Sequence, residues 1–229
     1  TGGDGGSGMG PDFGPPIPVE PGNGGDASAT ASASNLAGTA PVFVTASASG
    51  GDSGSSGLPG VPDGMAGSAT ARAEGHGLGP VTVSVSQRGG SGRTLQGTGP
   101  IKADGRDSLL VDAASGSSPV SLTLHQTATG GDGGGSFQRP LGDFTVEAGT
   151  PGLAGDARSE VNSTDAGTGD LTIRSSALAG AGGSGDHGTA GGQATSIVDA
   201  RAAGDIALEL AATGGRGGWA GQAGKQAGD

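Results

Sequence analysis

Three histidines, abundant serine and a recurring Gly-Gly-Asp motif are the residues of this chain whose types could support chemistry. Nucleophilic catalysis needs a hydroxyl, a base and an orienting acid within hydrogen-bond reach of one another. The sequence pattern places His76 in a turn, His125 on an outward strand position and His187 in a loop, with no acid recurring beside them. Serine is so common that a chance Ser-His-Asp grouping carries no information, so no catalytic residue is assigned and the chain is read as a non-enzyme. Glycine-rich turns that carry Asp bind calcium in the nonapeptide repeat G-G-x-G-x-D-x-U-x, where U is apolar. Here PGNGGDASA (21–29) lacks the first glycine and has Ser28 at the apolar place, while GGDGGSG puts its Asp third. Asp4, Asp52 and Asp132 are therefore the calcium candidates, against the alternative of solvated turn aspartates; no other metal or cofactor is implied. Asn162-Ser163-Thr164 matches the three-residue glycosylation sequon, a pattern that is frequent by chance. Trp219, in the last glycine-rich loop, reads as a packing plug.

Composition limits what can position such groups. The chain holds 54 Gly and 13 Pro in 229 residues, with one Trp, four Phe and no Cys. Leu, Ile, Val and Phe together fall below the roughly 20% expected of a globular domain. Ordering a residue costs about 1–2 kcal/mol of backbone entropy, and glycine loses more freedom than other residues. One thick oily core cannot offset that, which points to a thin, regular structure. The net charge of −11 repels a phosphate backbone and an anionic membrane surface, so neither nucleic acid nor membrane insertion is expected. No apolar run approaches the length of a membrane-spanning helix, and nothing resembles a signal peptide. The first residue is Thr1 rather than Met, as in a processed form or a piece of a longer repetitive protein.

Self-similarity supplies the architecture. Five copies of one pattern follow one another: an alternating strand, a short turn, a second alternating strand and a Gly-rich loop. First strands read GDASATASAS from Gly25, GSATARAE from Gly67, GRDSLLVDA from Gly105, GDARSEVNS from Gly155 and GQATSIVDA from Gly192. Second strands read VFVTASAS from Val42, VTVSVS from Val81, VSLTLHQ from Val120, LTIRSSA from Leu171 and IALELAA from Ile206. The period is two throughout, the strand period. The chain is thus one repeat domain, 1–229, with repeats near 22–58, 59–99, 100–140, 141–186 and 187–229 behind a Gly/Pro-rich leading loop, 1–21.

Alternate strand side chains point to opposite faces, so phase predicts the core. In the first strands it selects Ala29, Ala31, Ala71, Val111, Val161 and Val198, with Leu109 and Ala113 in step with Val111. In the second strands it selects Val42, Val44, Val81, Val83, Leu122, Leu124, Leu171, Ile173, Ile206 and Leu208, together with Val120 and Leu210. Alanine on one sheet facing Val, Ile and Leu on the other allows close approach at interior packing density. The Gly-rich loops fit extended polyproline-II-like runs packed against the sheets, with flexible linkers as the alternative.

The stretches GDLTIRSSALAGAGG (169–183) and GDIALELAATGG (204–215) resemble repeats of large secreted bacterial surface proteins, the filamentous-haemagglutinin-like and autotransporter adhesins. That resemblance implies a β-solenoid, export and a surface or matrix role. The expectation is an all-β repeat protein with two facing sheets: a solenoid joined by arches, or a sandwich of antiparallel hairpins. Val42 beside Val81 in a parallel ladder separates the first from the second. The expected function is an extracellular structural protein that polymerises with itself into a filament, sheath or matrix. An adhesin stalk with surface glycans or calcium in its Gly-Asp loops is the second class, and an ice-binding Ser/Thr face the third.

Overall fold

A computed structural model describes residues 1–7, 20–55, 63–93, 95–96, 103–137, 139–141, 144–146, 150–164 and 169–221. Most of the leading loop, 8–19, therefore lies outside the described residues. The fold is all-β, with no helix among the described residues. The principal strands are β1 (Ala27–Asn35), β2 (Val42–Ser49), β3 (Ala69–Gly77) and β4 (Val81–Arg88). After the two-residue β5 (Leu95–Gln96) come β6 (Ser108–Val111), β7 (Ala114–Ser117) and β8 (Ser121–Thr129). The short β9 (Ser136–Phe137), β10 (Arg139–Leu141) and β11 (Phe144–Val146) precede β12 (Ala157–Thr164), β13 (Asp170–Leu178), β14 (Ala194–Arg201) and β15 (Ile206–Thr213).

Five strands, β2, β4, β8, β13 and β15, lie side by side in chain order as one parallel sheet. Val42 pairs with Val81, Val81 with Leu122, Leu122 with Leu171, and Leu171 with Ile206. Apolar side chains thus stack on apolar side chains, rank after rank. β1 pairs with β3, not with β2, so the turn between β1 and β2 joins two facing layers. The facing layer is split into the parallel sheets β1-β3-β7 and β14-β12-β6.

The split lies at Asp112, the one described non-glycine residue with positive φ (47°), a conformation Asp tolerates better than most residues. Before it β6 pairs with β12; after it β7 pairs with β3. The kink also corrects the sequence phase. Ser108 and Leu110 are buried, while Leu109 and Val111 are 57% and 48% exposed. Pairing of Ser108 with Ala157 sets this register, and the turn at Asp112 then restores Ala113 to the interior.

Parting two strands orphans backbone groups, and two inward glutamines from the opposite sheet meet them. The N–H groups of Ala113 and Ala114 donate to Gln126 Oε1 at 3.0 and 3.2 Å. Gln126 Nε2 donates to the carbonyls of Leu110 (3.1 Å) and Glu160 (3.0 Å) and to Ser159 Oγ (3.2 Å). Gln87 does the same more loosely, accepting from Ala71 N–H (3.3 Å) and donating to the Leu109 carbonyl (3.4 Å). A hydroxyl chain continues from Ser159 through Ser175 to Ser196, each step 2.8 Å.

Val42, Val44, Ala71, Val81, Val83, Leu122, Leu124, Val161, Leu171 and Ile173 are all buried. Ala29, Ala31 and Val198 are half-buried and pack against that core. Ile206 and Leu208 are not core: they are 44% and 48% exposed, and Leu210 is 48% exposed. Their phase is right, but β15 is the edge of its sheet, and although β14 faces it, no further strand among the described residues lies beside either to close that end. Val120 precedes β8 and is likewise exposed.

The Gly-rich segments form a second half of the body. Those leaving the second strands donate to one another at every third residue, as at Gly2 and Gly5, Gly50 and Ser53, and Gly130, Gly133 and Ser136. Three residues is the period of an extended polyproline-II chain. Segments returning to the first strands interleave with them. Gly51 donates to Gly25, Gly67 to Gly51, Gly90 to Gly67, Arg106 to Gly90 and Gly131 to Arg106, a chain of amides that runs on to Gly215. A Cβ added at Gly51 or Gly131 would fall inside the carbonyl of Gly3 or Gly90. Glycine is required there by close approach of backbones.

Candidate functional site

The Gly-Gly-Asp aspartates stand in one row where the sheet passes into the glycine half. Asp4 Oδ1 accepts from the Asp52 N–H (3.1 Å), and Asp52 Oδ1 from the Ser91 N–H (2.9 Å). Ser91 Oγ accepts from the Asp132 N–H (3.2 Å), and Asp132 Oδ1 from the Ala181 N–H (2.7 Å). Asn23, Asp26, Asp104, Asp107 and Asp156 bridge the returning segments in the same way. Each of these side chains accepts from a backbone N–H of the neighbouring segment. This role escaped the sequence reading because its partners lie far away in the chain. Among the described residues no three His, Cys, Asp or Glu side chains gather as a metal-binding group.

His76 lies within β3 rather than in a turn. Its Nε2 is 3.0 Å from Glu74 Oε1 and its Nδ1 is 2.9 Å from Ser117 Oγ, which makes a Ser–His–Glu line. Glu74 and His76 share a strand face by their spacing, whereas Ser117 reaches them only because β7 displaces β6 beside β3. Glu74 and His76 stay open to solvent, 51% and 41% exposed. Activation of a hydroxyl relies on dipoles held in a dry site, which this open face does not supply. His187 is exposed in a bend. Asn162 lies in β12 with its Nδ2 donating to Glu160 Oε1 (3.3 Å) and Asp112 Oδ2 (3.4 Å), so the sequon nitrogen is engaged. Trp219 is 68% exposed and plugs nothing.

The outer face of the five-stranded sheet carries hydroxyl ranks. Thr82, Thr123 and Thr172 are neighbours, as are Ser47, Ser86, Thr127 and Ser176. Between these ranks run His125, Arg174 and Glu209, whose row breaks the hydroxyl surface with charge. Arg174 Nε lies 3.0 Å from Glu209 Oε2. Burial first, and the Arg174 charge second, hold the His125 pKa below its ordinary value, with Glu209 opposing. A groove of about 240 Å³ opens there, bounded by His125, Thr127, Arg174 and Glu209.

A larger trough of about 600 Å³ follows the line where this sheet turns into the glycine half. Arg88 borders it at one end and Arg216 at the other, with Asp132 between them and Leu178 on the floor. Gly130, Ala179, Ala181 and Gly214 leave the trough open because they carry little or no side chain. The sequence reading missed both arginines. The signal was positional: in its stacked row Arg216 occupies the place held by Asp4, Asp52 and Asp132 in earlier turns. Among the described residues no helix is long and apolar enough to cross a membrane. In comparisons with known proteins the chain matches no family model, no curated protein and no solved structure.

Proposed function

We propose that this chain is a non-enzymatic extracellular structural protein, wound as a β-solenoid, that associates with itself into a filament, sheath or matrix. One observation carries the reading. Among the described residues, the rank Val42, Val81, Leu122, Leu171, Ile206 ends at the β15 edge, where its last members are half-exposed. Leu171 and Ile173 are 1% and 0% exposed, whereas Ile206 and Leu208 beside them are 44% and 48% exposed. One further rung would bury those side chains and pair the free N–H and C=O groups of the β15 edge. Unpaired edges of this kind template association, and nothing charged on the inner face of β15 blunts this one. The scarcity of Lys and Arg, which leaves few tryptic sites, and the absence of Cys fit an exposed matrix role.

Head-to-tail joining has a geometric condition. At the opposite end the segment Thr1–Ser7 already packs beside its neighbours in the glycine half, in the place that residues 213–219 hold at the β15 end. A continuous ladder between two copies requires one of these two segments to give way. Light scattering across a concentration series, with electron microscopy of the concentrated sample, tests the proposal. Assemblies that disappear in Ile206→Lys/Leu208→Lys support it; a wild-type chain that stays monomeric without filaments at high concentration overturns it.

A further inference from the structure

The trough at the sheet–glycine junction has a chemistry that self-association does not use. Its two guanidinium groups belong to Arg88, at the end of β4, and Arg216, beyond the end of β15. The strands that carry them are three strand spacings apart, about 14 Å at the usual separation of neighbouring strands. Neither arginine has an ion-pair partner among the described residues, while Arg93, Arg158 and Arg174 are each paired with a carboxylate. Arg72 and Arg201 likewise have no ion pair among the described residues; what sets Arg88 and Arg216 apart, in a chain of net charge −11, is that both border one trough. Between them the lining is apolar at Leu178, 45% exposed, with Ala179 buried beside it and Thr129 and Thr213 along its length. Asp132 lines the middle of the trough with its Oδ1 accepting from the Ala181 N–H (2.7 Å), which fixes the carboxylate.

The geometry points to an acidic oligosaccharide, a short run of uronate-type sugars, as the ligand of this trough. Guanidinium groups pair bidentately with carboxylates, so Arg88 and Arg216 would hold two acid sugars separated along the chain. The C–H face of a ring between them would lie on Leu178, and ring hydroxyls would donate to Asp132. The volume is within the usual range for small-molecule sites, and the lining runs across the ends of four neighbouring strands, β4, β8, β13 and β15. Asp132 decides between polyanions: a carboxylate at mid-trough accepts from a sugar hydroxyl but repels a phosphate placed over it. A single-stranded DNA, which has no hydroxyl along its chain to donate to that carboxylate, fits less well.

Calorimetric titration with a galacturonate oligomer, a neutral oligosaccharide of equal length and a single-stranded DNA oligonucleotide separates the cases. The expected result is binding of the galacturonate oligomer that weakens with salt, and at least tenfold weaker binding in Arg88→Gln and in Arg216→Gln. Arg72→Gln, on the opposite face of the molecule, should leave affinity unchanged, and thermal melts of all variants establish that they fold. Absence of galacturonate binding overturns the proposal. So does binding that both trough variants retain, or DNA binding of equal strength that they lose in parallel. Because Ile206→Lys/Leu208→Lys is aimed at assembly and touches neither arginine, titrating that variant as well keeps this result separate from the self-association reading.

Discussion

At the scale of single residues, Gln126 holds the split sheet together. Its amide meets the Ala113 and Ala114 N–H groups beside the Asp112 kink and donates to the carbonyls of Leu110 and Glu160, the latter shared with the Asp112 N–H. Leaving a buried donor or acceptor unsatisfied costs about 1–3 kcal/mol each. Gln126→Met, of similar length, should therefore lower stability by about 2–4 kcal/mol in denaturant titrations. Gln87→Met should cost less, since its bonds are longer at 3.3 and 3.4 Å. The alanine face makes a second residue-scale claim. Ala73 is 0% exposed, so Ala73→Leu should cost about 1–3 kcal/mol by overpacking, whereas Ser32→Leu on the outer face should change stability by about 0.5 kcal/mol or less. His125 adds a dependence on pH. Its folded pKa lies below the ordinary 6.5, so protonation costs more in the folded chain than in the unfolded one. The stability it supports is present above pH 6.5 and declines as pH falls through that value toward the folded pKa. Urea midpoints at pH 7.5 and 5.5 should differ less in His125→Gln than in the wild type.

At the scale of elements, the glycine segments behave as structure in their own right. Gly3 and Gly131 occupy the same place in TGGDGG motifs, yet their surroundings differ. A Cβ at Gly3 meets nothing within 4 Å, while one at Gly131 meets the Gly90 carbonyl. Gly3→Ala should leave the melting temperature nearly unchanged; Gly131→Ala should destabilise by at least about 1–3 kcal/mol, because backbone cannot move aside as a side chain can. These segments also mark how far the sequence could be read. Strand positions, their period of two and the Val/Leu ranks were legible, because each depends on neighbours in the chain. The inward phase of Ser108 and Leu110 was not, because one residue with positive φ at Asp112 shifts it and Asp alone does not announce that conformation. The Asp4, Asp52 and Asp132 row was legible as a recurring motif, but its partners lie 39–49 positions away in the chain. Arg88 and Arg216 went unnoticed for the same reason: their proximity arises only when turns are stacked in register.

At the scale of the whole molecule, one half of the body is held by side chains and the other by peptide groups. In the glycine half the Gly25–Gly51–Gly67–Gly90 chain of amides replaces a hydrophobic interior. Unfolding this protein therefore wets much polar backbone and little hydrocarbon. Exposed apolar surface raises heat capacity, by about 0.45 cal/mol/K per Å², and exposed polar surface lowers it by about 0.26. The heat-capacity increment of unfolding should then fall below the roughly 12–15 cal/mol/K per residue of ordinary domains, a value that differential scanning calorimetry measures directly. A small increment flattens the curve of stability against temperature. Such a molecule would lose little of its stability on cooling, where proteins that depend on buried hydrocarbon weaken.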